Sequence, residues 1–128
     1  MAYTATVQVN PIGSGDFEVL ITENDAEATS EATIPGLPIK GRIWSMAAQL
    51  VSGAGSTIDP VLGHLTNPAA SGMTKLLEND TAAAGVHNVA IGPVPYYDAD
   101  GVLFHRSGVD SGTNNVIQTR YLISSSWR

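Results

Sequence analysis

Apolar and polar residues alternate without a break from Tyr3 to Asn10 (YTATVQVN), the period-2 pattern of a strand with one buried face. Pro11-Ile12-Gly13-Ser14-Gly15 supplies turn chemistry, and Phe17, Val19 and Ile21 then alternate with Asp16, Glu18 and Thr22. Leu20 is the exception, falling on the polar side. Two alternating runs around a short glycine-containing loop predict a β-hairpin. The stretch Gly36 to Gly53 (GLPIKGRIWSMAAQLVSG) predicts the next and longest strand, Ile39 to Val51. Strict alternation places Ile39, Gly41, Ile43, Ser45, Ala47, Gln49 and Val51 on one face, and Lys40, Arg42, Trp44, Met46, Ala48 and Leu50 on the other. Ile39, Ile43, Met46, Ala47 and Leu50 also fit a helical stripe closed by Gly53. The strand is preferred because its neighbours alternate and Gly41 would fall in the helix's first turns. Both faces turn apolar in the second half, so that half is expected to be covered on both sides, by a partner or a second copy.

The remainder of the chain is shorter pieces cut by Gly, Pro and Asn. Glu23 to Thr33 is acidic and small, either a loop or a short edge strand. Ile34-Pro35-Gly36-Leu37-Pro38 reads as a rigid corner, Ser52 to Ser56 as a turn, and Ile58 to Leu65 as a strand that Pro60 assigns to an edge. Residues 67–90 fit helix or strand in their first part and extended chain from Val86 to Ile91. Pro93-Val94-Pro95-Tyr96-Tyr97 is extended, because prolines fix φ and restrict the residues before them. Asp98 to Gly101 is a turn. Val102 to Ser107 and Val116 to Ser124 read as a second hairpin around the polar loop 110–115. The pattern predicts an all-β chain: an antiparallel β-sandwich or barrel-like domain with at most one short helix, formed by residues 1–128 as a single domain. Thirteen glycines and seven prolines agree with many short strands and turns.

Charge is more informative by position than by total. Asp16, Glu18, Glu23, Asp25, Glu27 and Glu31 lie in the first 31 residues with no Lys or Arg. The rest holds six acids and six bases, so the whole net charge of −6 sits at one end. Such an end disfavours nucleic acid and anionic membrane as partners, and reads either as a solvated face or as a patch meeting a basic surface. No apolar run approaches the roughly 18 residues that span a bilayer, and the N-terminus lacks the pattern of a signal peptide. The absence of cysteine excludes disulfides and thiolate metal sites.

A search for chemistry returns no site. His64, His87 and His105 lie in separate segments without the spacing of a zinc centre, and read as surface or internally satisfied histidines. Asp98-Ala-Asp-Gly begins like a calcium loop but lacks the closing glutamate. Gly53-Ala-Gly-Ser-Thr-Ile fails the dinucleotide fingerprint at its third glycine, and no serine has a nucleophile-elbow setting. No cofactor, metal or catalytic activity is expected. The aromatic residues remain. Tyr96, Tyr97 and Phe104 beside the prolines fill a core or anchor an interface, and Trp127 raises the same question. With Trp44 and Met46 of the long strand, they are the candidate partner-interface residues.

Taken together, MAYTATVQVN, IPGLPIKGRI, SGAGSTIDPVLG, VPYYDADGVLFHRS and RYLISSSWR make a chain that resembles the small, cysteine-free β-structured accessory virion proteins of tailed bacteriophages, of the capsid decoration or cement type. The resemblance covers most of the chain and implies a β-sandwich or barrel-like fold without catalysis. It also implies homo-oligomers, dimers or trimers, bound to the major capsid protein or other virion subunits. Localisation on the capsid surface, after synthesis in the host cytoplasm, follows from the same resemblance. The alternatives are a tail, baseplate or head-completion component, and a carbohydrate- or receptor-binding module using Tyr96, Tyr97 or Trp127 as a stacking platform.

Overall fold

The computed structural model describes residues 3–13, 15–25, 31–34, 40–53, 57–58, 60–67, 72–78, 82–83, 88–97, 102–106, 109 and 115–125. The N-terminal alternation forms the expected hairpin, with β1 (Thr4–Gly13) antiparallel to β2 (Asp16–Asn24) and Val7 opposite Ile21. The strands run closer together than the turn residues suggested. Pairing continues, with an irregularity between Pro11 and Gly13, until Gly13 faces Asp16. Gly13 (φ 101°) and Gly15 (φ 79°) take the left-handed conformations that this tight reversal needs.

The long stretch is a strand, β4 (Lys40–Ser52), and no helix occurs among the described residues. Its inward alternation changes parity after Ile43, and a second register shift against the last strand falls at Val51. Gly41 and Ile43 face inward, and so do Met46, Ala48 and Leu50, although the two groups have opposite parity. The break is a β-bulge. On β11 (Val116–Ser124), Ile123 pairs with Ile43 and the adjacent Leu122 pairs with Ser45, leaving Trp44 as the extra residue. The bulge explains within one chain why residues of both parities are apolar, the pattern from which covering on both faces was expected. The bulge turns both apolar groups toward one core, while Ala47 and Gln49 stay half-buried and Val51 is 47% exposed on the other side.

The remaining strands are β3 (Glu31–Thr33), β5 (Thr57–Ile58), β6 (Val61–Asn67), β7 (Gly72–Glu78), β8 (Ala82–Ala83), β9 (Asn88–Tyr97) and β10 (Val102–Arg106). They form two antiparallel sheets, β1-β2-β11-β4-β9 and β3-β10-β6-β7, with β5 and β8 as a small separate pair. Of the Glu23–Thr33 segment, read as a loop or a short edge strand, Glu23 and Asn24 belong to β2 and Glu31–Thr33 form the edge strand β3. Pro60 does not mark an edge, since it precedes β6, which lies between β10 and β7. The second hairpin is also corrected. β10 pairs with β3 and β6 in one sheet, whereas β11 inserts between β2 and β4 in the other. Alternation gave both strands, but it carries no information on which edge each one joins.

The sheets pack face to face as a β-sandwich. Val19, Ile21, Ile43, Met46, Tyr96, Tyr121 and Ile123 of the five-stranded sheet meet Leu62 and Leu103 of the other. A second group, Ala48, Leu50, Ile58, Val109 and Ile117, fills one end. Gly41 sits where β4 crosses closest to its neighbours, and a Cβ there would collide with the Ser124 carbonyl oxygen and press on the Tyr96 ring. Gly41→Ala is therefore expected to destabilise the fold by roughly 1–3 kcal/mol, read as a lowered urea midpoint at unchanged m-value.

Candidate functional site

The candidate interface residues separate by burial. Met46, Tyr96 and Phe104 lie in the interior, at most 2% exposed, and Trp44 is 43% exposed. Burial places the first three among core contacts of their own chain, out of reach of a docked partner. Tyr97 belongs to β9 but its side chain, like all of Trp127, lies outside the described residues. His87 and the Asp98–Gly101 turn also lie outside them. No group of acids and histidines able to hold a metal occurs among the described residues. The proline–tyrosine segment is the edge strand β9, paired with β4, with Pro93 and Pro95 exposed. Prolines are tolerated there because no neighbouring strand needs their missing N–H.

The accessible surface with a definite geometry is the outer face of the five-stranded sheet. Cross-strand pairing lays out its rows: Thr6, Thr22, Gln118 and Gln49; then Gln8, Leu20, Arg120 and Ala47; then Asn10, Glu18, Leu122 and Ser45. The first two rows, apart from Thr6, line a groove of about 400 Å³ formed by β1, β2, β11 and β4. Its walls are carboxamides, small side chains and Leu20, the one residue that broke the alternation. Arg120 Nε donates to Glu18 Oε2 at 2.6 Å at the border of the groove. This exposed pair contributes about 0–1 kcal/mol and chiefly orients the guanidinium. Beyond the third row the surface turns apolar. Ile12 (56% exposed), Trp44, Phe17 and Leu122 line a second depression of about 260 Å³, with Asp16 at its rim. The bulge creates this end by projecting Trp44 outward beside the turn of the β1–β2 hairpin.

The acidic N-terminal segment is not uniformly a solvated face. Glu18 is ion-paired, and Glu23 is fully buried. Glu23 Oε2 accepts from the Tyr3 hydroxyl at 2.7 Å, and Oε1 accepts from Nε2 of His105, on the opposite sheet, at 2.9 Å. His105 Nδ1 meets the Tyr121 hydroxyl at 2.5 Å, and Thr119 Oγ1 lies 3.5 Å from Nε2. With the ring proton on Nε2, the imidazole donates to the carboxylate and accepts from Tyr121, so every contact is satisfied. His105 is thus the internally satisfied histidine that its surroundings in sequence allowed. Phase is the signal that locates Glu23: it continues the inward series Val19, Ile21.

No protein-family model matches the chain, and no characterised protein matches it in sequence. Solved structures match in fold. A xylan-binding domain of CBM 22, formerly called an x6b domain, superposes with a TM-score of 0.50 at 14% identity, covering 98% of this chain and 89% of that one. A chain of the cyanophage Pam1 capsid asymmetric unit superposes with a TM-score of 0.50 at 13% identity, covering 95% of this chain and 86% of that one. The C-terminal family 22 carbohydrate-binding module of Clostridium thermocellum Xyn10B aligns at 14% identity with a TM-score of 0.47, over 95% and 85% of the two chains. The likeness is one of fold: a two-sheet β-sandwich of the kind found in carbohydrate-binding modules and in a phage capsid.

Burial, and then the nearby Glu23 charge, push the Tyr121 hydroxyl well above its ordinary pKa. A group whose folded pKa is raised contributes stability that is fully present below its unfolded pKa, about 10 for tyrosine, and is lost as pH rises beyond it. Wild-type stability should therefore fall above about pH 10. Tyr121→Phe should lose about 1–3 kcal/mol at neutral pH by leaving Nδ1 unpaired, and should show a shallower alkaline fall. Urea midpoints measured from neutral to strongly alkaline pH test both parts.

Proposed function

We propose that the chain is a non-enzymatic accessory protein of a phage virion, of the capsid decoration type, which docks on the major capsid protein or other head subunits and stabilises the shell. The observation that carries this reading is the apolar end of the outer face, where Ile12, Trp44 and Leu122 stand on a rigid paired sheet. A half-exposed tryptophan ringed by aliphatic groups has the composition of an interface anchor. The fold likeness to a phage capsid chain supports it, and near-complete coverage of both chains means that chain is of similar length. The protein would then reside on the capsid surface after synthesis in the host cytoplasm. A tail, baseplate or head-completion role would use the same surface at another place on the particle, which electron microscopy of particles would distinguish.

The test is add-back to particles that lack the protein. Trp44→Ala and Ile12→Ser should each reduce retention on particles by about tenfold or more, as removal of an interface anchor does. Each should change thermal stability by only about 1 kcal/mol or less, because both side chains are substantially exposed. Binding equal to wild type in both variants would place the docking surface elsewhere.

A second reading, carbohydrate or receptor binding, is favoured by the groove, whose Gln8, Gln49, Gln118 and Arg120 are suited to sugar hydroxyls. It is the weaker reading because no aromatic side chain lines the groove among the described residues and Tyr96, one of the expected stacking residues, is buried. On this reading a glycan array gives binding that Gln118→Ala reduces and Trp44→Ala does not. Absence of glycan binding by the wild type would remove it.

A further inference from the structure

The two larger sheets have four edge strands among the described residues: β1 and β9 in one, β3 and β7 in the other. An open edge presents unpaired N–H and C=O groups, and proteins protect such edges by shortness, proline or charge. β3 has three residues, β9 has Pro93 and Pro95, and β7 has Lys75 at its middle. β1 has its proline, Pro11, and an irregularity only in its last three residues; from Thr4 to Asn10 it runs seven residues, uncharged and without proline. Among the described residues no strand pairs with its far side. Its inward side chains are also incompletely covered, for Val7 and Val9 pack on the core yet remain only half-buried.

The pattern of this edge is symmetric about Val7. An antiparallel copy of the same strand centred there sets Val7 against Val7, Ala5 against Val9, Thr6 against Gln8 and Thr4 against Asn10. Apolar residues then meet apolar residues on the core side, polar residues meet polar ones on the outer side, and no like charges oppose. We propose that β1 pairs with β1 of a second copy across a two-fold axis at Val7, joining two five-stranded sheets into one of ten strands. The axis stands perpendicular to the sheet, so both outer faces point the same way and the two Trp44 ends lie on one side of the dimer. The partner is self-complementary and the interface isologous, which closes the assembly at two. This inference goes beyond the docking role and does not depend on it, since it concerns the isolated protein.

Sedimentation of the purified chain at high micromolar concentration, together with two double variants, tests the inference. Thr6 and Gln8 are exposed and face away from the core, so substitutions there leave the core packing intact. T6K with Q8K sets lysine against lysine twice across the axis, and should weaken dimerisation by about tenfold or more at unchanged thermal stability of the monomer. T6K with Q8E sets lysine against glutamate twice and should restore the dimer. A wild type that sediments as a monomer or as a trimer overturns the proposal, as does a dimer that persists in T6K with Q8K. Failure of T6K with Q8E to dimerise overturns the register. Particle add-back with Trp44→Ala reads the docking role separately, so either idea can fail alone.

Discussion

A carboxylate held entirely out of water constrains this sandwich more than any apolar contact does. Removing Glu23 from solvent carries a penalty of several kcal/mol that only well-placed hydrogen bonds offset. Its partners come from three separate places: Tyr3 just before β1, His105 from the opposite sheet, and Tyr121 through the imidazole. Apolar side chains tolerate small sliding of one sheet over the other, because dispersion contacts are non-directional. Directional bonds to a buried charge do not. A one-residue slip of β10 would turn His105 to the other face of its sheet and leave the carboxylate with Tyr3 alone. The polar cluster therefore specifies how the two sheets align, and the aliphatic core fills the space that this alignment defines.

Much of the secondary structure could be read from alternation, because a strand with one buried face writes its period directly into the residues. The β1–β2 hairpin and the strand character of β4 were legible for that reason. The bulge was not, since it leaves residues of either parity apolar and imitates a strand covered on both sides. Partner choice was equally hidden: Val102 to Ser124 contains two good strands, and nothing local says that they belong to different sheets. Glu23 is a different kind of miss. Its position in the inward series of β2 was visible, and the concentration of acids around it masked the phase.

The candidate surface was legible only in part, for a physical reason. An aromatic residue in a β protein has the same local sequence environment whether it fills the core or faces a partner. Trp44 is exposed because a bulge pushes it out, whereas Tyr96 and Phe104 are buried because their strands face covered layers. The groove is assembled from the β1–β2 hairpin together with β4 and β11, which lie far from it in the chain, so no single stretch contains its signature. The same sandwich serves a xylan-binding domain and a capsid chain. Fold alone therefore leaves function to the side chains of the outer face.

The position of β11 has a consequence in time. Residues 116–124 form the middle strand of the five-stranded sheet and supply the partners of both β2 and β4. During synthesis the hairpin and β4 emerge first and can form only a sheet with its centre missing. Two long edges stay bare until β11, which begins about sixty residues after β4 ends, has been made. Sheets closed by such distant pairing fold slowly and leave unpaired edges exposed meanwhile. Cooperative closure of the sandwich must wait for β11, which makes the nascent chain, and not the finished protein, the form most prone to aggregate.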